Sequence, residues 1–179
     1  TEPGTRSDLR AIKTSARRDR NGYRLYGQKS FISSGQLATL IVVAAQTETQ
    51  AGAKVSLFVM ETEKAEGFSR GRNLEKIGAK AQDTSELFFD DVALPPDSLL
   101  GEVEGRGFAQ MSQQLPQERL LIALQAVVSM EAAIAATLAY TRERKAFGRS
   151  ILDFQNSRFK MAEIKTTVVV ARNFVETCI

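Results

Sequence analysis

The rhythm of apolar and polar positions changes near residue 106. Before it, apolar residues fall in short runs rich in β-branched and aromatic side chains. Thr39 to Ala45 (TLIVVAA) and Val55 to Met60 (VSLFVM) have the length and composition of buried strands. The polar, glycine-containing stretch 47–54 between them predicts an antiparallel hairpin. Tyr23 to Tyr26 reads as a short strand after a turn at Asn21-Gly22, and Leu87 to Phe89 as another, running into Asp90-Asp91-Val92. Pro95-Pro96 then ends the sheet. No long amphipathic helix separates these strands, which argues against a βαβ dinucleotide fold.

After residue 106 the period is helical. Leu120, Leu121, Ile122, Leu124, Val127, Val128, Ile134 and Leu138 place apolar groups on almost every side of one helix. A helix apolar all round is expected to be buried on several faces. Met161, Ile164, Val168, Ala171, Val175 and Cys178 recur at 3-4-3-4-3 spacing, one stripe of a second helix in a bundle-like pattern. The basic turn Arg142 to Gly148 joins the two. Eleven of the 12 glycines precede residue 108, which supports strands and loops first and long helices second. Two helices with such wide apolar faces do not close a bundle. The sequence therefore reads as part of something larger, with partner helices from another chain or from a longer one.

Composition narrows the chemistry. Apolar residues make up 43% and charged residues 25%, which excludes a disordered chain. Uninterrupted apolar runs fall short of the roughly 20 residues that cross a bilayer, so no membrane span is expected. Histidine is absent, which removes Ser-His-Asp and Cys-His catalysis and most zinc sites; no metal site is expected. The single cysteine, Cys178, excludes an internal disulfide or a CxxC pair and suits a reducing compartment. The net charge of +3 does not argue for nucleic acid, and no RNA-binding aromatic pattern or zinc-finger spacing is present. Charge is nonetheless concentrated: Arg6, Arg10, Lys13, Arg17, Arg18, Arg20, Arg24 and Lys29 face only Asp8 and Asp19. Such a run is either a solvated face or a surface for a phosphate-bearing ligand.

Several stretches then resemble one family, the acyl-CoA dehydrogenases. Thr1-Glu2-Pro3-Gly4-Thr5-Arg6-Ser7-Asp8 is similar to its TEPGAGSD signature, with Thr5-Arg6 in place of the usual Ala-Gly. Gly27 to Gly35 (GQKSFISSG) is similar to its G-x-K-x-[WF]-I-[ST]-N-G segment, with Ser34 in place of Asn. Arg144-Lys145-Ala146-Phe147-Gly148 followed by Phe154-Gln155 is similar to its R-K-x-F-G and Q segment. Lys76 to Asp91 and Leu115 to Ala123 (LPQERLLIA) resemble the long-chain branch most. The five segments occur in the family's order across nearly the whole chain.

The resemblance implies an α+β, multi-domain architecture. An antiparallel β-barrel middle domain over residues 1–98 would be followed, over 99–179, by the first helices of an incomplete up-down four-helix bundle, the chain being roughly half of a family member. It implies FAD-dependent α,β-dehydrogenation of acyl-CoA thioesters of medium-to-long chain length, a step of fatty-acid β-oxidation. A carboxylate takes the α proton and FAD takes the β hydrogen as hydride. That chemistry needs neither histidine nor metal. In the long-chain branch the base lies on the first bundle helix, at Glu118 here. By the same resemblance Thr1, Ser7, Phe31, Ile32, Ser33, Arg144, Phe147 and Gln155 contact FAD, with Arg144, Phe147 and Gln155 reaching it across a subunit interface. Ser7, Arg119, Phe108 and Met111 face the acyl-CoA substrate. Read without the resemblance, Ser33 is a turn hydroxyl, Phe31, Phe108 and Met111 are core side chains, and Glu118 is a surface carboxylate beside Arg119. The resemblance further implies electron-transferring flavoprotein as acceptor and a homo-oligomer, a dimer of dimers. It places the protein in the bacterial cytoplasm or the mitochondrial matrix. The rival readings are a non-catalytic flavin- or acyl-CoA-binding or structural subunit, and an acyl-CoA oxidase using the same residues.

Overall fold

A computed structural model describes residues 1–5 and 8–179. The chain forms two compact units, Thr1–Ser112 and Gln113–Ile179.

The first unit is built on six strands: β1 Ser15–Asp19, β2 Gly22–Ser33, β3 Leu40–Thr49, β4 Gly52–Glu61, β5 Phe68–Asn73 and β6 Thr84–Leu94. They form one sheet in the order β4-β3-β1-β2-β6-β5. All neighbours are antiparallel except β1 and β3, which share a single parallel bridge, Ser15 to Gln46. The β3–β4 hairpin is the expected one, but pairing runs on to Thr49 and Gly52, so most of the stretch read as loop is strand. The ladder is open at β4 and β5. Its inner side encloses one core: Tyr23 and Leu25 from β2, Val43 and Ala45 from β3, Phe58 and Met60 from β4, and Leu87, Phe89, Val92 and Leu94 from β6. The Tyr23 ring meets Phe58 edge-on at 4.7 Å, an arrangement worth about 0.5–1.5 kcal/mol beyond burial.

The two apolar runs differ in burial. β4 buries consecutive residues, Val55 to Phe58, as a continuous run predicts. β3 alternates instead: Val43, Ala45 and Thr47 are buried, while Leu40 and Val42 are 58% and 55% exposed. Strands β1 and β5 were not legible. SARRD and FSRGRN carry arginines and little apolar content, and they pair nonetheless through their backbones.

α1, Gly107–Glu143, starts in this first unit and contains Pro116. Gly107 lets its first turn approach β4 closely, since a Cβ there would sit 2.9 Å from the Val55 carbonyl oxygen. The second unit holds the rest of α1, a two-strand hairpin (β7 Lys145–Ala146 and β8 Arg149–Ser150) and α2, Gln155–Thr177. Val127, Ile134, Val168 and Val175 are buried here, and Arg172 donates from Nε and Nη2, one edge of its guanidinium, to both carboxylate oxygens of Glu131. The burial expected all round α1 is not found. Leu121, Ile122, Val128 and Tyr140 are half or more exposed, because this unit offers α1 only one neighbouring helix. Of the stripe on α2, Val168 and Val175 are buried while Ile164 and Cys178 are exposed. Taken over the whole helix, α1 is long and apolar enough to cross a bilayer by length and composition alone, since isolated polar residues interrupt its runs without lowering its average much.

Candidate functional site

Phe31 sits at a β-bulge. In the β2–β6 ladder Lys29 faces Leu87 and Ile32 faces Ser85, so β2 carries one extra residue between them. Strand alternation would put Phe31 on the same side as the buried Lys29. The bulge reverses this: Phe31 adopts φ 57° and turns outward, 69% exposed. The segment that follows is held firmly. The Ser34 N–H donates to the Asp83 carbonyl (3.1 Å), and the Gln36 N–H to the Asp83 carboxylate (2.6 Å). The Gln36 side-chain amide donates to the Gly71 carbonyl (2.7 Å) and the Ser85 hydroxyl (2.9 Å). Ser33 is exposed and Ile32 half-buried.

Thr1 and Glu2 lie along this same strand. The Thr1 carbonyl accepts from the Ser30 N–H at 2.9 Å. The Glu2 carboxylate, only 4% exposed, accepts from the Lys13 N–H (2.5 Å), the Thr14 N–H (3.2 Å) and the Lys29 ammonium (2.7 Å). Lys29 Nζ also donates to the Ala44 carbonyl at 2.7 Å. Burial pushes the Glu2 carboxyl up, but these hydrogen bonds outweigh it and leave the pKa below its ordinary value. Burial pulls the Lys29 ammonium down, and Glu2 offsets part of that. Thr5 follows, buried, and its hydroxyl has no partner among the described residues. Arg6 and Ser7 lie outside the described residues, so the contacts expected of Ser7 have no counterpart here.

The structure brings Thr1, Ile32 and Met111 together around one cavity of about 160 Å³, also lined by Ile12, Lys29, Ile41, Val43 and Leu87. Phe108, expected beside Met111, does not line it. Its ring lies under the Arg10 guanidinium, 4.9 Å from the ring centre. The basic run of residues 10–29 is not one open patch. Arg18 pairs with Glu104, Arg24 with Asp19 and Asp91, and Lys29 with Glu2, while Arg17 lies over Tyr26.

In the second unit Glu118 and Arg119 are exposed on α1, so the apolar setting expected for Glu118 is not supplied by its own unit. Arg144, Phe147 and Gln155 cluster around the β7–β8 hairpin. Phe147 and Gly148 form its two-residue loop with φ 54° and 80°, the positive pair that a tight hairpin requires. Phe147 is 95% exposed, its ring 6.4 Å from that of Phe154, and Arg149 lies over Phe154 at 4.1 Å. Gln155 opens α2, and the Arg144 carbonyl accepts from the Ile151 N–H at 2.8 Å. Sequence reasoning singled out neither Lys29 nor the Glu2 side chain. The signal was present as one cation and one anion, each inside a separate motif, 27 positions apart.

Family models match residues 1–92 to the middle domain of acyl-CoA dehydrogenases and residues 105–179 to their C-terminal domain. Among curated relatives, the mitochondrial long-chain specific acyl-CoA dehydrogenase of Sus scrofa is 46% identical over 100% of this chain and 42% of its own length. Among solved structures, acyl-CoA dehydrogenase from Geobacillus kaustophilus superposes with a TM-score of 0.92 at 45% identity, over 99% of this chain and 47% of that one. A chain from a structure of the electron transferring flavoprotein of Acidaminococcus fermentans does so with a TM-score of 0.89 at 37% identity, over 99% and 46%. The chain thus spans less than half the length of these relatives.

Proposed function

This chain belongs to the acyl-CoA dehydrogenase family, and from that membership we propose that the protein is an FAD-dependent oxidoreductase that removes hydrogen from Cα and Cβ of acyl-CoA thioesters in fatty-acid oxidation. One geometric observation carries the reading. Phe31 and Phe147 are both aromatic, both largely exposed and both held at positive φ. Bulky side chains rarely adopt that conformation, and the strain, about 1–3 kcal/mol each, concentrates at functional sites. They are also the two aromatics that the family motifs assign to the flavin.

The residues present fit such a cofactor. Phe31 offers a free aromatic face, Ser33 an exposed hydroxyl, and Thr5 a buried hydroxyl without a partner among the described residues. Phe31, Ile32, Ser33 and the Thr1–Gly4 backbone would hold the flavin ring system; Arg144, Phe147 and Gln155 would hold the diphosphate and adenine, for which a planar guanidinium is suited. A bound FAD would supply the acceptor for the β hydrogen, leaving as hydride. The Glu118 carboxylate takes the α proton as general base. Met111, which lines the cavity beside Ile32, would line the acyl path; for Phe108, Arg119 and Ser7 the substrate contact rests on the sequence motifs alone. We place the boundary between the two domains at residues 98/99, where the turn after Pro95-Pro96 ends.

The proposal extends to a homo-oligomer, a dimer of dimers. What supports it is the apolar surface left open on both helices, including Leu121, Ile122 and Tyr140 on α1 and Val170 and Phe174 on α2. Electron-transferring flavoprotein is the proposed electron acceptor. The compartment is the mitochondrial matrix in a eukaryotic source and the cytoplasm in a bacterial one. The test is anaerobic mixing of the flavin-loaded full-length protein with an acyl-CoA. Oxidised-flavin absorbance is expected to bleach in the wild type and to persist in Glu118→Gln. Equal bleaching in both would remove Glu118 as the base, and no bound flavin in the wild type would remove the whole reading.

A further inference from the structure

Lys29 and Glu2 form the most deeply buried ion pair among the described residues, with side chains 9% and 4% exposed. Nothing in the dehydrogenation chemistry requires them. A buried pair is also a poor stabiliser, because removing both ions from water offsets most of their attraction. Such pairs are best attested as devices that fix register.

The register at stake here is unusual. Lys29 is the last residue of β2 in regular pairing before the bulge that reverses the strand's faces. Its ammonium is anchored inward at two points on different segments, Glu2 Oε1 and the Ala44 carbonyl on β3. Glu2 is in turn fixed by the Lys13 and Thr14 N–H groups. Between them lies the main-chain bond from the Ser30 N–H to the Thr1 carbonyl. A slip of one residue in β2 would turn Phe31 inward and carry Ser30 away from Thr1. The inward anchor at Lys29 therefore opposes a slip at the second of the two register irregularities in β2, the one that includes Phe31.

We propose that the Lys29–Glu2 pair is a positioning device that holds the Thr1–Gly4 segment and the Phe31–Ser33 turn in the mutual alignment the flavin needs, an inference that rests on the flavin reading above. Both residues act through the backbone they fix, and neither touches the reacting atoms.

The test uses the full-length protein and FAD as the probe. Lys29→Met alone leaves Glu2 buried and uncompensated, and this variant is expected to unfold readily. The double variant Lys29→Met/Glu2→Gln removes both charges and keeps an acceptor for the Lys13 and Thr14 N–H groups. It is expected to fold with a melting temperature of the apoprotein close to wild type. It should bind FAD about tenfold more weakly, the effect of losing roughly one charge-assisted hydrogen bond's worth of alignment, with a shifted visible absorption of the bound flavin. Wild-type FAD affinity and spectrum in the double variant would overturn the proposal. So would a double variant that does not fold, since the pair would then be a general stabiliser. Failure of the wild type itself to bind FAD would refute the functional reading instead, so the two failures are distinguishable.

Discussion

Gly27 offers a sharp test of how the first unit is assembled. It lies on β2 with φ 141°, and a Cβ there would sit 2.6 Å from both Cα and Oγ1 of Thr14. Thr14 is fully buried, and its N–H is one of the donors on Glu2. Gly27→Ala therefore combines two effects. Forcing alanine into a glycine-only backbone region costs about 1–3 kcal/mol. Overpacking against backbone that cannot rotate away costs about 1–3 kcal/mol more. Gly52→Ala isolates the first effect, because Gly52 also has positive φ (88°) but nothing within 4 Å of the new methyl. Urea unfolding followed by circular dichroism gives both values from midpoint and slope. Gly27→Ala should fall below Gly52→Ala by about 1–3 kcal/mol, or about 2–12 °C in melting temperature for a chain of this size. It should also retain flavin poorly, since displacing Thr14 loosens Glu2, whereas Gly52→Ala should retain it normally. Equal midpoints for the two variants would refute the close packing of Thr14 on β2.

Phe58→Ala removes the largest fully buried side chain of the sheet and its edge-on contact with Tyr23, and should destabilise the first unit by about 3–5 kcal/mol; a loss under about 1 kcal/mol in the same urea titration would contradict the packing. Glu2 has a folded pKa below its ordinary value of 4.5, so its contribution to stability is complete above that value and disappears as pH falls through the lower folded pKa. The stability of wild type minus that of Lys29→Met/Glu2→Gln, measured by urea unfolding, should accordingly be constant from pH 7 down to about 5 and decrease below it. A difference that grows on acidification would reverse the assigned direction.

What the sequence conceals follows from what its patterns measure. Periodicity reports side-chain environment, so β4 and α1 were visible while β1 and β5 were not. Arg17 and Arg18 on β1 and Arg70 and Arg72 on β5 point to solvent or to polar partners, and those strands exist through main-chain pairing with β2 and β6. β5 is a sheet edge, where charged residues discourage pairing with another chain, so its polar sequence is an expected property of the strand. The same logic separates α1 from its burial. Leu121 and Ile122 announce that something apolar covers them without saying what does, and within their own unit nothing covers them.

The candidate site divides along the same line. Motifs located Phe31, Ser33 and Phe147, but no propensity scale places an aromatic residue at positive φ, because that conformation is imposed by tertiary pairing against local preference. The bulge at Lys29–Ile32 does so for Phe31 and the two-residue hairpin does so for Phe147. Residues that meet a ligand can be read from type and spacing when a family resemblance is at hand. Residues that hold those in place, such as Lys29 and Glu2, emerge only when the fold brings distant charges together. Relaxing either strain should then weaken flavin binding and stabilise the fold together. Phe147→Asn tests this, because asparagine adopts positive φ readily. The variant is expected to raise the melting temperature of the second unit while lowering FAD affinity in the full-length protein, and a variant changed in neither would mean that the hairpin's strained aromatic has no bearing on the flavin.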